Sequence, residues 1–255
     1  MNGSKISVVV AVFDGAKTII RCIDSVLSQT CSDIELIVID GGSTDGTLEI
    51  IHSYAHRLAY WESKADRGIA HAWNKGIAHS SGEWILFLGA DDYLWSPTTI
   101  EQMLPFLELA QMRTSVVYGK VIGVDGSGRE LRELSAEWNQ RKFVHYGIYF
   151  SHQGIFHHKD IFARYGEFDE YFRYGPDYEM LMRYLINHDA EYVSTVTVAG
   201  MQMGGVSNKP SNAFTALGDL RKARRKHGIS GDSLLYYRAL FGARIKGLMY
   251  SYLGW

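Results

Sequence analysis

The sequence predicts an α/β fold with a mostly parallel central sheet, helices on its faces and a helical extension at the C-terminus. Three observations support this prediction. Aliphatic and β-branched runs such as Ile6–Val12 are typical of strands buried on both faces of a parallel sheet. These runs alternate with segments of helical apolar spacing, as strand–helix–strand crossover units do. With 46% hydrophobic residues, 21% charged residues and four prolines, the 255-residue chain has the composition of a folded domain, alone or with an appendage.

The first half of the chain alternates between the two patterns. The predicted elements are, in order, a strand at Ile6–Val12, a helix at 16–28, a strand at 35–40, a helix at Thr47–Tyr54, a short strand at 58–61, a helix at 68–79 and a strand at 84–88. We expect Ser43, Thr44 or Asp45 to cap the second helix, because short polar side chains favour that position.

The second half is less regular. Val116–Val124 and residues 129–134 are predicted to form a hairpin around the turn at 125–128. Further along, the patterns predict a helix at 177–186, a strand at 192–199 and two helices after residue 211, separated at 228–231. Residues 143–158 are rich in aromatic side chains and histidines and predict no single element.

The charge is unevenly distributed. Residues 1–208 carry 17 basic and 26 acidic side chains, a net charge of −9, whereas residues 209–255 carry nine and two, a net charge of +7. The acidic body and the absence of a recognition motif beside the basic run argue against a nucleic-acid partner. Cys22 and Cys31 have no metal-ligand spacing, and we expect two reduced thiols in a cytoplasmic protein. No window of the sequence reaches the ~18 apolar residues that a membrane span needs.

Acidic residues follow three of the predicted strands. Asp14 comes after the first strand, Asp40 ends the second, and Asp91 and Asp92 follow the fourth. Ligands of open α/β sheets bind beyond the carboxyl ends of the strands, so these carboxylates are predicted to share one site. Two adjacent carboxylates after a buried strand repel each other and lose hydration, which demands either a basic side chain or a metal ion beside them.

Two glycine-containing turns lie at the same predicted edge. The segment VIDGGSTDGT (38–47) differs from the dinucleotide fingerprint, because its glycines follow the second strand. Asp40 there either accepts hydrogen bonds from a base or ribose or belongs to an ordinary tight turn. Arg67 and Gly68 stand where a helix begins, at a place suited to phosphate, although Arg67 alone is equally typical of a surface charge.

Three motifs occur in an order that identifies a family resemblance. They are IDGGSTDGT (39–47), DRGIAHAWNKGIAHSSGEWILFLGADD (66–92) and GEFDEYFRYGPDYEMLMRYL (166–185). In this order they resemble the family 2 glycosyltransferases of GT-A fold, especially bacterial enzymes of cell-surface polysaccharide synthesis. The resemblance covers roughly residues 5–208. It implies a catalytic domain at 1–208, with a nucleotide-binding half (1–95) and an acceptor half (96–208), followed by a basic, aromatic tail at 209–255.

The resemblance also implies an activity and a cofactor. The expected reaction is inverting and metal-dependent, moving a sugar from a nucleotide diphosphate donor, UDP-linked, to a glycan or lipid-linked glycan. Asp92 is expected to ligate Mn²⁺ or Mg²⁺, with Asp91 on the ribose or on a metal-bound water; hard cations of this kind prefer carboxylate oxygens and are completed by phosphates. The full D-x-D triplet of the family is absent here.

Roles for the other site residues come from the same resemblance. Asp177 is the expected catalytic base, with Glu179 as the fallback. Asp40 should contact the base of the nucleotide, and His152 and Gln153 should form a rim where sugar and acceptor meet. The remaining donor-binding residues are expected to be Val12, Phe13, Asp14, Arg67, Gly68, Asn74 and Asp91. Gly204 and Gly205 open a segment that is either a lid over the diphosphate or a plain surface loop.

The tail and two rival functions stay open at this stage. Residues 220–255 either lie as a helix on an anionic membrane, at the inner face of the cell membrane, or pack on the catalytic domain or on a second subunit. A catalytically idle, sugar-nucleotide-binding partner in an assembly complex is the alternative function, disfavoured because Asp92 and Asp177 are both present. A nucleotidyltransferase is a third interpretation, but VFDGAKTI (12–19) is a poor substitute for the glycine-rich basic loop of that class.

Overall fold

The computed structural model describes residues 5–147, 150–204 and 213–229. Nine strands form one sheet in this part of the chain. They are β1 (Ile6–Val12), β2 (Ile34–Asp40), β3 (Tyr60–Ser63), β4 (Trp84–Gly89), β5 (Tyr93–Leu94), β6 (Val116–Val124), β7 (Glu130–Glu133), β8 (Ile155–His158) and β9 (Glu191–Gln202). The helices are α1 (Ile19–Leu27), α2 (Thr47–Tyr54), α3 (Ile69–His79), α4 (Thr99–Ala110), α5 (Gln140–Tyr146), α6 (Asp160–Tyr165), α7 (Pro176–Leu185) and α8 (Ala213–Lys226).

The sheet has the order β3-β2-β1-β4-β8-β6-β9-β5, with β7 added beside β6. Its first four strands are parallel, as crossover helices require. β8 is antiparallel to both β4 and β6, so β6 runs in the direction of β4, and β9 runs parallel to β6. The short strands β5 and β7 are antiparallel to β9 and β6, respectively. The carboxyl ends of β1, β2 and β4 therefore meet at one edge, as predicted.

Alternation along β1 divides the core into two layers. Ile6, Val8, Val10 and Val12 pack into a cluster with α1 and α4, and Val9 and Ala11 into a cluster on the other face with α3 and α7. Each face of the central strands is thus covered by helices, which explains their uniformly apolar sequences. Among the described residues, no helix has the length and apolar character needed to cross a bilayer.

Most predicted elements are present, with instructive differences. The hairpin forms as expected, with Asp125 accepting the N–H groups of Ser127 (2.9 Å) and Arg129 (3.1 Å) in its turn. None of the three residues expected to cap α2 holds its N-cap position, which Gly46 takes in a left-handed conformation (φ 100°). Of the three, Asp45 does supply a side-chain acceptor, for the N–H of Thr47, the first residue of the helix. The 143–158 region divides into part of α5, a 3₁₀ turn at His152–Gly154 and β8.

The start of the predicted tail packs on the domain. α8 contacts α7, and Leu220 and Ala223 belong to the second core layer. This is one of the two arrangements that the sequence leaves open. Residues 230–255 and the predicted lid from Gly205 onward lie outside the described residues.

Candidate active site

The acidic pair sits at the carboxyl end of β4. Asp92 is buried, and Asp91 is partly buried. The Asp92 carboxylate accepts hydrogen bonds from the Gln153 amide (3.0 Å) and from the main-chain N–H groups of Gln202 (3.1 Å) and Gly89 (3.2 Å). A Cβ atom on Gly89 would lie 2.8 Å from an oxygen of Asp91 and 3.0 Å from one of Asp92, so both carboxylates converge on this glycine.

Arg21 of α1 is a cation that reaches this region, but it forms no ion pair with either acid. Its guanidinium donates to the main-chain carbonyl of Asp91 (2.7 Å) and to the side-chain oxygen of Gln202 (3.0 Å), and it stacks over the Tyr93 ring at 4.5 Å. In the part of the chain that the structure describes, neither carboxylate of the pair has a basic side chain within ion-pair distance. Arg21 thus fixes the backbone around the acids and leaves their oxygens available to another cation.

Burial raises the pKa of both acids, and in Asp92 repulsion from Asp91 raises it further. The residues present fit a hard divalent cation: they offer carboxylate oxygens with no directly paired cationic side chain. No group of three metal-ligating side chains exists among the described residues. Such a two-acid site suits Mg²⁺ or Mn²⁺, which keep several waters and take phosphate oxygens from a substrate.

The loops after β1 and β2 are hydrogen-bonded to each other. Asp14 has a left-handed backbone (φ 50°), its N–H donates to the Ser43 hydroxyl (2.7 Å), and its carboxylate accepts the N–H of Thr44 (2.9 Å). Asp40 is fully buried and accepts hydrogen bonds from Ser43 and from the Ser63 hydroxyl (2.5 Å). The structure brings these residues together on one surface, called the ledge below, which consists of residues 12–18 after β1 and 40–46 after β2. The carbonyl of Val12 also joins the ledge, by accepting the N–H of Gly41.

Phe13 stands out on this ledge because 65% of it is exposed. Asp66, the first residue of the DRGIAHAWN motif, and Phe13 both lie against Gly41. A Cβ on Gly41 would approach the Asp66 carboxylate to 2.7 Å and the Phe13 ring to 3.3 Å, so glycine at 41 leaves room for these two side chains. An exposed aromatic ring therefore lies beside a carboxylate in this part of the structure.

A cleft of about 380 Å³ adjoins the start of α3. Its lining comprises Arg67, Gly68, Ile69, Ala70, Glu170, Phe172 and Arg173. Arg67 forms a two-pronged ion pair with Glu170, at 2.6 and 2.9 Å. Gly68 has φ 126°, no atom would lie within 4 Å of a Cβ placed on it, and its N–H donates to the Asp66 carboxylate (2.9 Å).

The side chain of Asn74, predicted to bind the donor, is hydrogen-bonded within the protein. Its amide nitrogen and oxygen both bond the main chain of Phe168, at 2.9 Å each, which attaches α3 to the loop before α7. A contact between Asn74 and a donor stays a prediction.

His152 and Gln153 lie on the 3₁₀ turn beside β4. Gln153 reaches Asp92, as described above, whereas the His152 ring is buried against Phe87 (5.4 Å between centroids) and Trp73 (4.6 Å). Burial, and then the neighbouring His157, lower the pKa of His152 well below its ordinary value, so the ring is neutral at physiological pH. Gln153 is therefore the member of the predicted rim that touches the acidic centre.

Asp177 lies in the first turn of α7, after Pro176 at the start of the helix. Burial raises its pKa to about 6, against the lowering effect of nearby main-chain N–H groups. Within the described residues, no side chain donates a hydrogen bond to its carboxylate. Glu179, the fallback base, is fully buried and paired with Arg183, Lys226 and His227, so it is not free to take a proton from a substrate.

The curled central sheet with helices on both faces is the architecture of GT-A glycosyltransferases. The chain belongs to the family Glycosyl transferase family 2, whose profile matches residues 7–172, and it is a glycosyltransferase. The PGL/p-HBAD biosynthesis glycosyltransferase of Mycobacterium bovis and its Mycobacterium tuberculosis counterpart are 30% identical over 218 residues, which is 82% of this chain and 81% of theirs.

Solved structures show the same fold. S. aureus TarS in complex with UDP superposes with a TM-score of 0.66 at 20% identity, over 86% of this chain and 65% of that one. The chain thus spans just under two thirds of that TarS fragment. The mannosyltransferase PcManGT from Pyrobaculum calidifontis, in complex with GDP-Man and Mn²⁺, also has a TM-score of 0.66, at 17% identity, over 96% of this chain and 70% of its own.

Proposed function

We propose that this glycosyltransferase moves a sugar, with inversion, from a UDP-linked donor to a hydroxyl of a glycan or lipid-linked glycan, with Mg²⁺ or Mn²⁺ at Asp91 and Asp92. The observation that carries the proposal is the converging acid pair at the carboxyl end of β4, beside which Arg21 bonds backbone rather than carboxylate. The relatives support the donor class, since TarS structures contain UDP or UDP-GlcNAc and PcManGT contains GDP-Man and Mn²⁺.

The ledge and the cleft would hold the nucleotide. Phe13 offers an exposed ring on which a base can stack, and Asp66 offers an acceptor for the N–H groups of the base or the hydroxyls of the ribose. Asp40 is buried, so its contact with the base would require it to give up a hydrogen bond from Ser43 or Ser63. Arg67 and Gly68 line the cleft at the start of α3, a position that favours phosphate, and the Arg67 guanidinium would exchange its partner Glu170 for phosphate oxygens.

The acid pair would hold the cation through Asp92, with Asp91 on the ribose or a bound water. When bound there, a divalent cation neutralises the negative charge that develops on the leaving diphosphate. Gln153, Gln202 and Gly89 hold Asp92 in a fixed orientation, and Gly89 leaves the space into which both acids project.

Asp177 would act as the base. In an inverting transfer the acceptor oxygen attacks the anomeric carbon, the bond from that carbon to the diphosphate oxygen breaks, and the hydroxyl proton passes to the carboxylate. A pKa of about 6 leaves Asp177 ionised at neutral pH and makes it a stronger base than an ordinary aspartate.

The test is a thermal-shift panel of UDP, GDP, dTDP and CDP, each with and without Mn²⁺, on the wild type and two variants. We expect a UDP shift that needs Mn²⁺ in the wild type, because a ligand bound only by the native state stabilises it. Asp92→Ala should lose both the Mn²⁺-dependent shift and transfer. Asp177→Ala should keep the shift and lose transfer. Metal-independent UDP binding by the wild type would contradict the role of Asp92.

A membrane location at the cytoplasmic face is a separate proposal. It rests on the net charge of +7 in residues 209–255 and on the lipid-linked class of acceptor. Cosedimentation should show binding to vesicles with roughly 30% anionic lipid, the kind of surface to which basic segments are attracted, and none to neutral vesicles. Equal behaviour with both vesicles would remove it. Self-association of the chain stays a prediction, checked by light scattering in the same samples.

A further inference from the structure

A buried carboxylate of α8 holds the segment that leads into α7. Asp219 is 2% exposed, and one of its oxygens accepts the main-chain N–H groups of Arg173 (3.0 Å) and Tyr174 (3.1 Å). Its other oxygen accepts from Lys222, one turn further along α8 (3.2 Å). Burying a carboxylate costs the free energy of its hydration, and hydrogen bonds must replace that hydration. In Asp219, two of these hydrogen bonds come from main-chain N–H groups.

A second set of contacts joins α8 to α7 on the other side of Asp177. Glu179 is fully buried and receives Lys226 (2.9 Å) and His227 (3.0 Å) from the end of α8, together with Arg183 from its own helix. Lys226 also reaches Asp169 at 2.7 Å. Residues of α8 and its C-terminal end therefore bind the chain at Arg173 and Tyr174, before Asp177, and at Glu179, two residues after it.

The position of Asp177 depends on this backbone. No described side chain donates a hydrogen bond to its carboxylate, so its direction is set by the main chain of residues 173–179. Arg173 and Tyr174 precede Gly175 and Pro176, the residues at which α7 starts. Holding their N–H groups sets the point and direction at which the helix begins.

We propose that Asp219 is a positioning residue for the base Asp177, and that α8 is part of the catalytic apparatus of this chain. The inference rests on the proposed role of Asp177. Both residues lie beyond residue 172, where the family profile ends, so the family match assigns neither contact.

Two substitutions at one position separate the hydrogen bonds from the charge. Asp219→Ala removes the acceptor for both N–H groups. Asp219→Asn keeps an oxygen that can accept both, with the amide NH₂ turned toward Lys222, which is half exposed and can move away. The matched control is Asp125→Ala, since Asp125 also accepts two main-chain N–H groups and an arginine, but in the β6–β7 turn.

We expect Asp219→Ala to lower kcat by about 10- to 100-fold, because misplacing a reacting group by about 1 Å has effects of this size. Arg173 also lines the donor cleft, so the donor KM should rise as well, but by a smaller factor than kcat falls. Asp219→Asn should stay within about threefold of wild type, and Asp125→Ala should equal wild type. The proposal is overturned if the alanine variant matches the control, if alanine and asparagine are equally impaired, or if the donor KM rises by as large a factor as kcat falls.

Hydrogen exchange tests the contacts of Asp219 without an activity assay, because it measures the protection of the main-chain amides that Asp219 binds. The peptide containing the amides of Arg173 and Tyr174 should lose protection in folded Asp219→Ala and keep it in Asp219→Asn. If Asp177→Ala transfers sugar at the wild-type rate, the assignment of the base fails even though this protection pattern is found. If protection is unchanged in Asp219→Ala, the positioning role itself is refuted.

Discussion

α3 packs so closely against β1 that adding one methyl group, in Gly76→Ala, should destabilise the protein. A Cβ atom on Gly76 would lie 2.2 Å from one methyl carbon of Val9 and 3.0 Å from the other, whereas carbon atoms pack at about 3.5–4.0 Å. Val9 is fully buried in the central strand and has no room to retreat. Overpacking of this kind costs about 1–3 kcal/mol, against about 1 kcal/mol gained when alanine replaces glycine within a helix.

Because the overlap exceeds about 1 Å, we expect the clash to dominate in Gly76→Ala. The free energy of unfolding should fall by about 1–2 kcal/mol, and the Tm by about 2–4 °C for each kcal/mol. Urea denaturation and thermal melts measure both. Gly218→Ala in α8 is the control: no atom lies within 4 Å of its Cβ position, so helix propensity alone should stabilise the chain by up to about 1 kcal/mol.

A double-mutant cycle completes the test. Val9→Ala removes the obstructing methyl groups, so the added methyl at residue 76 should cost less in that background than in the wild type. A Gly76→Ala variant as stable as Gly218→Ala, or strict additivity with Val9→Ala, would refute the packing argument.

Two further predictions concern the site. Burial raises the pKa of Asp177 to about 6, so its carboxylate is charged above that pH and neutral below it. We therefore expect kcat to fall about tenfold for each pH unit below 6. A flat profile of kcat from about pH 5 to 7 would exclude Asp177 as the base. Since Arg21 holds the Asp91 carbonyl and Gln202, Arg21→Met should weaken Mn²⁺ binding about tenfold in electron paramagnetic resonance titrations of the folded protein, and unchanged affinity would restrict Arg21 to a structural role.

Much of the fold was predictable because its central strands carry their own signal. β1 is buried on both faces along its whole length and β2 along most of it, so their aliphatic pattern is visible locally. The sequence does not predict β8, because its burial is specified by residues far along the chain: His157, a polar residue type, is fully buried and packs against Phe87, which lies 70 positions earlier. α3 and α7 were predicted within one or two residues of their bounds, because their apolar spacing and starting glycine or proline are local features.

The site was predictable to the extent that it follows from topology. Parallel strands bring Asp14, Asp40 and the Asp91–Asp92 pair to one edge, and this follows from the order of the strands in the sequence. The residues that fix those acids come from elsewhere: Arg21 lies 70 positions before Asp91, and Gln202 lies 110 positions after Asp92. No spacing rule connects them, so only the folded chain reveals the contacts.

The charged contacts between α7 and α8 also set a lower limit on the size of a unit that can fold by itself. Cutting the chain after residue 208 would remove Lys226 and His227 and leave Glu179 inside the protein with Arg183 as its remaining partner. Losing two hydrogen-bonding partners of a buried carboxylate costs about 1–3 kcal/mol, a sizeable part of the stability of an ordinary domain. Expression of a shortened chain for crystallisation or for transplanting the catalytic domain should therefore extend at least to residue 229.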